Sequence, residues 1–106
     1  MNIKDVDPQT LSGWLAEGKA VLVDVREAAE HAAERIAEAH HLPLSAFDPS
    51  HLPEHGGKIV VYHCASGGRT SRFGPQLAAA TRAASDVFHM GGGIIAWKSA
   101  GFATEG

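Results

Sequence analysis

The sequence is poor in several features, and each shortage excludes a class of protein. It contains one cysteine, so no internal disulfide can form, and Cys64 is expected to be a free thiol in a reducing compartment. Its Lys and Arg residues do not cluster and the formal net charge is -3, which argues against a nucleic-acid partner. Its longest apolar runs are far too short to cross a bilayer, so no membrane partner is expected.

What the sequence does contain is typical of one small globular domain. Of its 106 residues, 44% are hydrophobic and 20% are charged, which is enough apolar material for a single core. No repeat or linker divides the chain, so we predict one domain over residues 1–106. The opening residues, MNIKDVDPQT, lack the basic and then apolar pattern of a signal peptide, so a cytoplasmic location is expected.

Short apolar runs alternate with helix-forming segments along the chain. Two such runs, at 21–23 and 59–62, predict strands that are buried on both faces, and residues 87–88 predict another strand. Helices are predicted from Pro8 to near Gly18 and over residues 28–35, 70–84 and 94–100. This alternation predicts an α/β fold, with a mostly parallel sheet and helices on both faces.

Two prolines and one glycine mark expected helix boundaries. Asp7 followed by Pro8 is typical of an N-cap and the first helical position. Pro75 removes one backbone donor, so the third helix is expected to start near Gly68 or to kink near Arg72. Gly101 stands where the last helix would be capped at its carboxyl end.

Polar segments follow two of the predicted strands. Asp24 and Arg26 come just after the strand at 21–23, and residues 64–69 follow the strand at 59–62. Ligands of parallel α/β sheets bind beyond the carboxyl ends of the strands. We therefore expect the two segments to lie close together and to form a site.

The only cysteine stands at the start of a glycine turn. Residues 62–71 read YHCASGGRTS, in which four residues separate Cys64 from Arg69. Gly67 and Gly68 allow positive φ and close backbone approach. Peptide N–H groups in such a loop can surround the sulfur and favour thiolate over thiol, while Arg69 adds a permanent cation. The pattern predicts a nucleophilic thiolate that meets an anionic substrate.

Two reaction classes use a cysteine loop of this kind, and loop length separates them. Cysteine-dependent phosphatases place five residues between cysteine and arginine, which makes a wider ring for a tetrahedral phosphate. The C-x4-R spacing from Cys64 to Arg69 suits one extra sulfur atom on the cysteine, and this indicates sulfur transfer through a persulfide. The His63-Cys64 pair keeps a phosphatase or arsenate reductase as an alternative.

Three segments together resemble the single-domain rhodaneses of the thiosulfate sulfurtransferase family. They read VLVDVREAAEH at 21–31, KIVVYHCASGGRTS at 58–71 and GGGIIAWKSAGF at 91–102, in the family's order. The resemblance implies a rhodanese-like, five-stranded sheet flanked by helices, and we expect no cofactor. It places the persulfide on Cys64 and assigns substrate binding to Ala65, Ser66, Gly67, Gly68 and Arg69.

The same resemblance implies the substrates. The expected donor is a small anion that carries sulfane sulfur, such as thiosulfate. The expected acceptor is a thiol, cyanide or a sulfur carrier protein.

The chain departs from the family pattern at three places. Ala65 stands where Arg or Lys often follows the cysteine, so one cation is missing at the loop. Residues 34–39, ERIAEA, replace a stretch that often reads GHIPGA, and Gly91 stands where an acidic residue often precedes Gly-Gly. The missing cation keeps a non-catalytic persulfide carrier or sensor as a further alternative.

Other polar residues near the predicted site have structural interpretations. Asp24 and Arg26 are expected to support the site by capping loop donors and bridging to a neighbour. His63 precedes the nucleophile, but neighbouring strand residues point to opposite faces, so it is expected to face away from the pocket. The seven histidines show no zinc-ligand spacing, so no metal is predicted.

Overall fold

The protein, a computed structural model that describes residues 3–106, contains a five-stranded sheet. The strands are β1 at Lys4–Asp5, β2 at Ala20–Asp24, β3 at His40–His41, β4 at Ile59–His63 and β5 at Asp86–His89. They lie in the order β1-β5-β4-β2-β3, and every neighbouring pair is parallel. This confirms the predicted α/β class and its parallel sheet.

The two longest strands have the pattern expected of strands covered on both faces. In β2 and in β4, every residue except the first is buried. Because successive side chains of a strand point to opposite faces, a continuous buried run needs cover above and below the sheet. The edge strands β1 and β3 have two residues each, so they expose little unpaired backbone.

Five helices connect or follow the strands. They are α1 at Pro8–Ala16, α2 at Ala28–Ala33, α3 at Gly68–Arg72, α4 at Gly74–Ala80 and α5 at Gly93–Ser99. Single turns of 3-10 helix lie at Leu44–Ala46 and Pro49–His51. In α1 the predicted cap is present, because the Asp7 side chain accepts a hydrogen bond from the Thr10 N–H at 2.7 Å.

Two helices differ from the predicted lengths. α2 ends before residue 35 because Glu34 is extended, with φ of -161°, and Arg35 forms an antiparallel bridge with Glu105. The helix predicted over 70–84 is divided at Phe73 and ends at residue 80. Pro75 thus lies in the first turn of α4, where the N–H that it lacks has no helical partner to lose.

Helices cover both faces of the sheet. On one face, buried side chains of α1 and α5 pack against the two central strands; they include Leu11, Ile94, Trp97, Leu22 and Val61. On the other face, a buried side chain of α4 packs against the same strands; this cluster includes Leu77, Val21, Val23, Val60 and Tyr62. Cys64 belongs to the second cluster and lies directly beyond β4.

The carboxyl ends of the central strands meet at one edge of the sheet. Asp24 at the end of β2 is in register with His63 at the end of β4, and Tyr62 is in register with His89 of β5. From β2 the chain runs outward to β3, returns to β4, and then runs outward in the other direction to β5. Such a reversal is where open α/β sheets bind ligands, and Cys64 lies beside it.

Candidate active site

Cys64 begins a loop of residues 64–69 that leads from β4 into α3. Its Sγ accepts a hydrogen bond from the Gly67 N–H at 3.1 Å. The N–H groups of Arg69 and Thr70 also help to lower the pKa of the thiol. Gly67 has φ of 97°, a left-handed conformation that favours glycine. The loop therefore places main-chain donors around the sulfur, as its glycines predict.

These donors stabilise the ionised thiol. Cys64 is 1% exposed, and this burial raises the pKa of its thiol. The contacts of the sulfur with the N–H and hydroxyl of Thr70, and with the N–H groups of Gly67 and Arg69, together outweigh burial. The pKa of Cys64 therefore lies below its ordinary value, which increases the fraction of thiolate, the nucleophilic form.

The turn at residues 91–93 lies directly against the loop. A Cβ on Gly67 would be 1.5 Å from the carbonyl oxygen of Gly91, and a Cβ on Gly93 would be 2.4 Å from the carbonyl oxygen of Ala65. No side chain fits between the two backbones at either place. The glycines of both segments are needed so that the loop and the turn can touch.

The first turn of α5 holds the loop from outside. The Ile94 N–H donates to the Cys64 carbonyl oxygen at 3.0 Å, and the Ile95 N–H donates to the Ala65 carbonyl oxygen at 3.2 Å. Because these carbonyls are directed at α5, the following N–H groups can turn toward the sulfur. The GGGIIAW segment thus supports the loop, a role that sequence reasoning missed.

Arg69 does not stand alone at the loop. Its Nη1 and Nη2 contact the two carboxylate oxygens of Glu30 at 2.7 and 2.8 Å. The side chains are 34% and 35% exposed, so the pair lies at the rim of the site. The hydrogen bonds from Arg69 are the largest cause that lowers the pKa of Glu30, to about 2, so its carboxylate is ionised at neutral pH. Arg69 therefore offers an approaching anion a cation that is already largely compensated.

Asp24 and Arg26 form a second ion pair, which is buried. Arg26 Nη2 contacts Asp24 Oδ2 at 2.8 Å, and Arg26 Nε lies 3.1 Å from Asp24 Oδ1. Burial alone would raise the pKa of Asp24, but the hydrogen bonds from Arg26 lower it. Arg26 also donates to the carbonyl oxygen of Glu34 at 2.6 Å. The pair thus ties β2 to the segment after α2.

His63 lies on the side of β4 opposite to Cys64, as strand alternation predicts. Its Nδ1 is 3.1 Å from the Cys64 carbonyl oxygen, and its Nε2 is 3.7 Å from Asp24 Oδ2. Among the residues that the structure describes, no hydrogen-bond partner is found for this buried Nε2. Burial, the largest cause, lowers the pKa of His63. A neutral imidazole directed away from the sulfur is not placed to act as its base.

Sequence reasoning also missed Thr70 and His89. The Thr70 hydroxyl oxygen is 3.8 Å from Cys64 Sγ and 2.8 Å from His89 Nδ1. The only local signal for Thr70 was its place directly after the arginine of the loop. For His89 the signal was its place at the end of a predicted strand, which is where site residues of α/β sheets lie.

The remaining loop residues differ in exposure. Ser66 and Gly68 are exposed, and Ala65 is half-buried. The small Ala65 side chain leaves this part of the loop without the second cation that the family often has there.

Within residues 3–106, no three His, Cys, Asp or Glu side chains are grouped so that they could hold a metal ion. The same part of the chain has no helix whose length and apolar character would let it cross a membrane.

Comparison with known proteins identifies the family and the fold. The family model described as Rhodanese-like domain matches residues 7–100. A sulfurtransferase of Allochromatium vinosum is 33% identical over 102 residues, which cover 93% of this chain and 92% of that protein. The crystal structure of thiosulfate sulfurtransferase from Pseudomonas aeruginosa superposes with a TM-score of 0.82 and 28% identity, over 97% of this chain and 19% of that one.

A further relative is the uncharacterized protein slr1261 of Synechocystis. It is 39% identical over 99 residues, which cover 93% of this chain and 54% of that protein. The chain therefore spans about half of this relative and a smaller part of the Pseudomonas protein.

Proposed function

Since the chain belongs to the rhodanese-like family, we propose that it transfers sulfane sulfur from a donor to an acceptor through a persulfide on Cys64. The observation that carries this proposal is the donor set at Cys64 Sγ: the Gly67 N–H lies at 3.1 Å, and the N–H groups of Arg69 and Thr70 help to lower the pKa of the thiol. Such donors stabilise an anion on sulfur, both in the resting thiolate and in the persulfide.

The first half-reaction loads the cysteine. The Cys64 thiolate attacks the sulfane sulfur of the donor, an S–S bond forms at Sγ, and the donor's own bond to that sulfur breaks. The leaving group takes the bonding electron pair; with thiosulfate it departs as sulfite. We expect no separate base to be needed, because the donors of the loop favour the ionised thiol and the leaving group is a stable anion.

The second half-reaction regenerates the thiolate. A nucleophilic acceptor attacks the outer sulfur, a bond forms between them, and the electrons of the persulfide S–S bond return to Cys64 Sγ. With cyanide the product is thiocyanate. Charge at Sγ therefore forms again at the end of each turnover, so the donors of the loop act on both half-reactions.

The proposed substrates are the ones that the sequence resemblance implies. A small anionic donor such as thiosulfate remains the proposed class, with a thiol, cyanide or a sulfur carrier protein as the acceptor. Because Arg69 is paired with Glu30 and Ala65 carries no charge, the attraction for a doubly charged donor is weak. A free reactive thiol is stable under reducing conditions, so we propose the cytoplasm as the compartment.

Intact-mass measurement tests the proposal. Wild-type protein treated with thiosulfate is expected to gain the mass of one sulfur atom and to lose it on addition of a reductant. Cys64→Ser is the matched control, and it is expected to gain no sulfur and to form no thiocyanate from thiosulfate and cyanide. Thiocyanate formation at the wild-type rate by Cys64→Ser would overturn the proposal, and turnover of an aryl phosphate would favour the phosphatase alternative.

A second candidate function is a persulfide carrier that docks on a partner and turns over slowly by itself. The observation in its favour is the compensated charge of the loop, in which Arg69 is bound to Glu30. A persulfide that forms once, but is released only slowly to cyanide or small thiols, would favour the carrier. Rapid multiple turnover would favour the enzyme.

A further inference from the structure

His89 lies beside the sulfur chemistry without touching the sulfur. It is the last residue of β5, it is 8% exposed, and its Nδ1 is 2.8 Å from the Thr70 hydroxyl oxygen. The same hydroxyl oxygen is 3.8 Å from Cys64 Sγ. Thr70 therefore joins His89 to Cys64 in a row of three buried side chains.

The Thr70 hydroxyl has one hydrogen and three neighbours that can accept it. Besides Cys64 Sγ and His89 Nδ1, the carbonyl oxygen of Gly67 lies 3.3 Å away. A carbonyl oxygen can only accept, and so can an ionised sulfur. His89 Nδ1 differs from both, because it donates when it carries a proton and accepts when it does not.

We propose that His89 is a positioning residue whose Nδ1–H donates to the Thr70 hydroxyl and so directs the hydroxyl hydrogen to Cys64 Sγ. This inference rests on the proposed function, because the charge it concerns is that of the thiolate in sulfur transfer. If Nδ1 were the acceptor, the hydroxyl would donate to His89, and both the thiolate and the Gly67 carbonyl would lose this donor. Thr70 is fully buried, so water does not replace the lost bond.

The groups that face His89 are compatible with a neutral ring. Burial, the largest cause, lowers the pKa of His89, whereas Asp5 on β1 raises it, and burial has the larger effect. Asp5 Oδ1 accepts the Gly91 N–H at 2.7 Å, and within residues 3–106 no hydrogen bond joins Asp5 to the ring. Cys64 faces the ring through Thr70. A neutral ring carries one N–H, and the acceptors around Thr70 favour its placement on Nδ1.

The hydrogen bond between His89 and Thr70 is expected to affect the step that forms the thiolate. When the acceptor removes the outer sulfur, the bonding electrons return to Cys64 Sγ, and a hydroxyl hydrogen directed there stabilises the new charge. His89 touches neither substrate nor sulfur and acts only through Thr70. Its removal is therefore expected to alter the ionisation of Cys64 without altering the loop N–H groups.

The first test determines which ring nitrogen of His89 carries the proton. In wild-type protein labelled with nitrogen-15, the ring nitrogen shifts of His89 report which nitrogen carries the proton. We expect Nδ1 to be protonated and Nε2 unprotonated at a pH where Cys64 is ionised. An unprotonated Nδ1 at that pH would overturn the proposal, and this test needs no variant that has to fold.

The second test is the ionisation of Cys64, followed by the ultraviolet absorbance of the thiolate with Cys64→Ser as the blank. His89→Leu and Thr70→Val are each expected to lower the acid ionisation constant of Cys64 roughly threefold to tenfold, the effect of one hydrogen bond, and so to reduce the thiolate fraction across the titration. His89→Asn keeps an amide N–H near Nδ1 and is expected to retain most of the thiolate. His51→Leu, at an exposed histidine, is the matched control.

The double variant decides whether His89 acts through Thr70. In the Thr70→Val background, His89→Leu is expected to have no further effect on the thiolate fraction. An unchanged or larger thiolate fraction in folded His89→Leu, or an equal loss in His89→Asn, would contradict the proposal. None of these readings uses a sulfur donor, so a failure of persulfide formation at Cys64 would be seen separately, by mass.

Discussion

Arg26 and Arg69 both bind a carboxylate through two nitrogens, but in opposite surroundings. The Arg26 pair with Asp24 is buried, with side chains 5% and 0% exposed, whereas the Arg69 pair with Glu30 is about one third exposed. The buried pair also satisfies a backbone carbonyl, that of Glu34. The rim pair joins Arg69, at the end of the loop that begins with Cys64, to Glu30 of α2.

Burial decides what each pair can do. Two charges removed from water cannot part without leaving an unpaired buried charge, so Asp24 and Arg26 are fixed in place. A pair that reaches water contributes little to stability and can be rearranged at small cost. The same pairing therefore supports the fold at the end of β2, whereas at the rim it can be exchanged for another anion at small cost.

The largest expected effect comes from breaking the buried pair. Arg26→Met leaves the Asp24 carboxylate buried without its partner, which is expected to lower the free energy of unfolding by about 3–5 kcal/mol. Denaturant unfolding at neutral pH measures this loss. Arg82→Met, at an exposed arginine, is the matched control and is expected to change stability little.

The pH dependence of the loss has a definite sign. In the wild type the pKa of Asp24 is below its ordinary value of 3.8, so its contribution to stability is present above that pH and falls as the pH drops further. In Arg26→Met, burial without the partner raises the pKa of Asp24 instead. The variant should therefore approach the wild type in stability on acidification, and a loss that grows at low pH would contradict this account.

An intermediate effect is expected from breaking the rim pair. Glu30→Gln removes the charge that compensates Arg69 and keeps a residue that can cap α2. The value of kcat/KM for thiosulfate is expected to rise about threefold to tenfold, because the donor meets an uncompensated cation. The free energy of unfolding is expected to change by less than about 1 kcal/mol.

Steady-state kinetics with thiosulfate at low and high salt measures this effect. Glu38→Gln removes the same charge from an exposed position outside the rim pair and controls for net charge alone. An equal rise in Glu38→Gln would show that the effect is general and not local. A fall of kcat/KM in Glu30→Gln with the fold intact would indicate that the pair positions Arg69 for the reaction.

The smallest expected effect comes from adding a cation beside the rim pair. Ala65→Arg places a guanidinium at the loop and is expected to raise kcat/KM for thiosulfate by about twofold to fivefold, because the new charge is partly exposed to water and screened. Ala65→Gln supplies a neutral side chain as the control. A lower rate in Ala65→Arg than in Ala65→Gln, with both folded, would refute the electrostatic explanation.

Most of the fold was predictable from local pattern. The buried runs at 21–23 and 59–62 lie in β2 and β4, and the alternation of strands with helices gave the parallel sheet. Asp7 and Pro8 marked the start of α1 because capping depends on neighbouring residues. The sequence located the break at Phe73 only approximately. A helix that contains Pro75 in its first turn can begin at any of several preceding residues, because proline is tolerated throughout that turn.

The site was predictable where it is made of consecutive residues. Cys64, Gly67 and Arg69 lie in one loop, and their spacing indicated N–H groups around a sulfur. The partners of these residues come from elsewhere in the chain: Glu30 is 39 residues from Arg69, and His89 is 19 residues from Thr70. No periodicity or motif connects such positions.

Residue type and spacing, read along the chain, were enough for the strands β2, β4 and β5, for the helix starts and for a glycine loop after the cysteine, because each depends on atoms a few bonds apart. The pairing of Arg69 with Glu30, the contact of Thr70 with His89 and the contact of Gly67 with Gly91 came from the order of the strands. That order brings β2, β4 and β5 side by side, and it is stabilised by burial on both faces of the sheet, which no short segment contains.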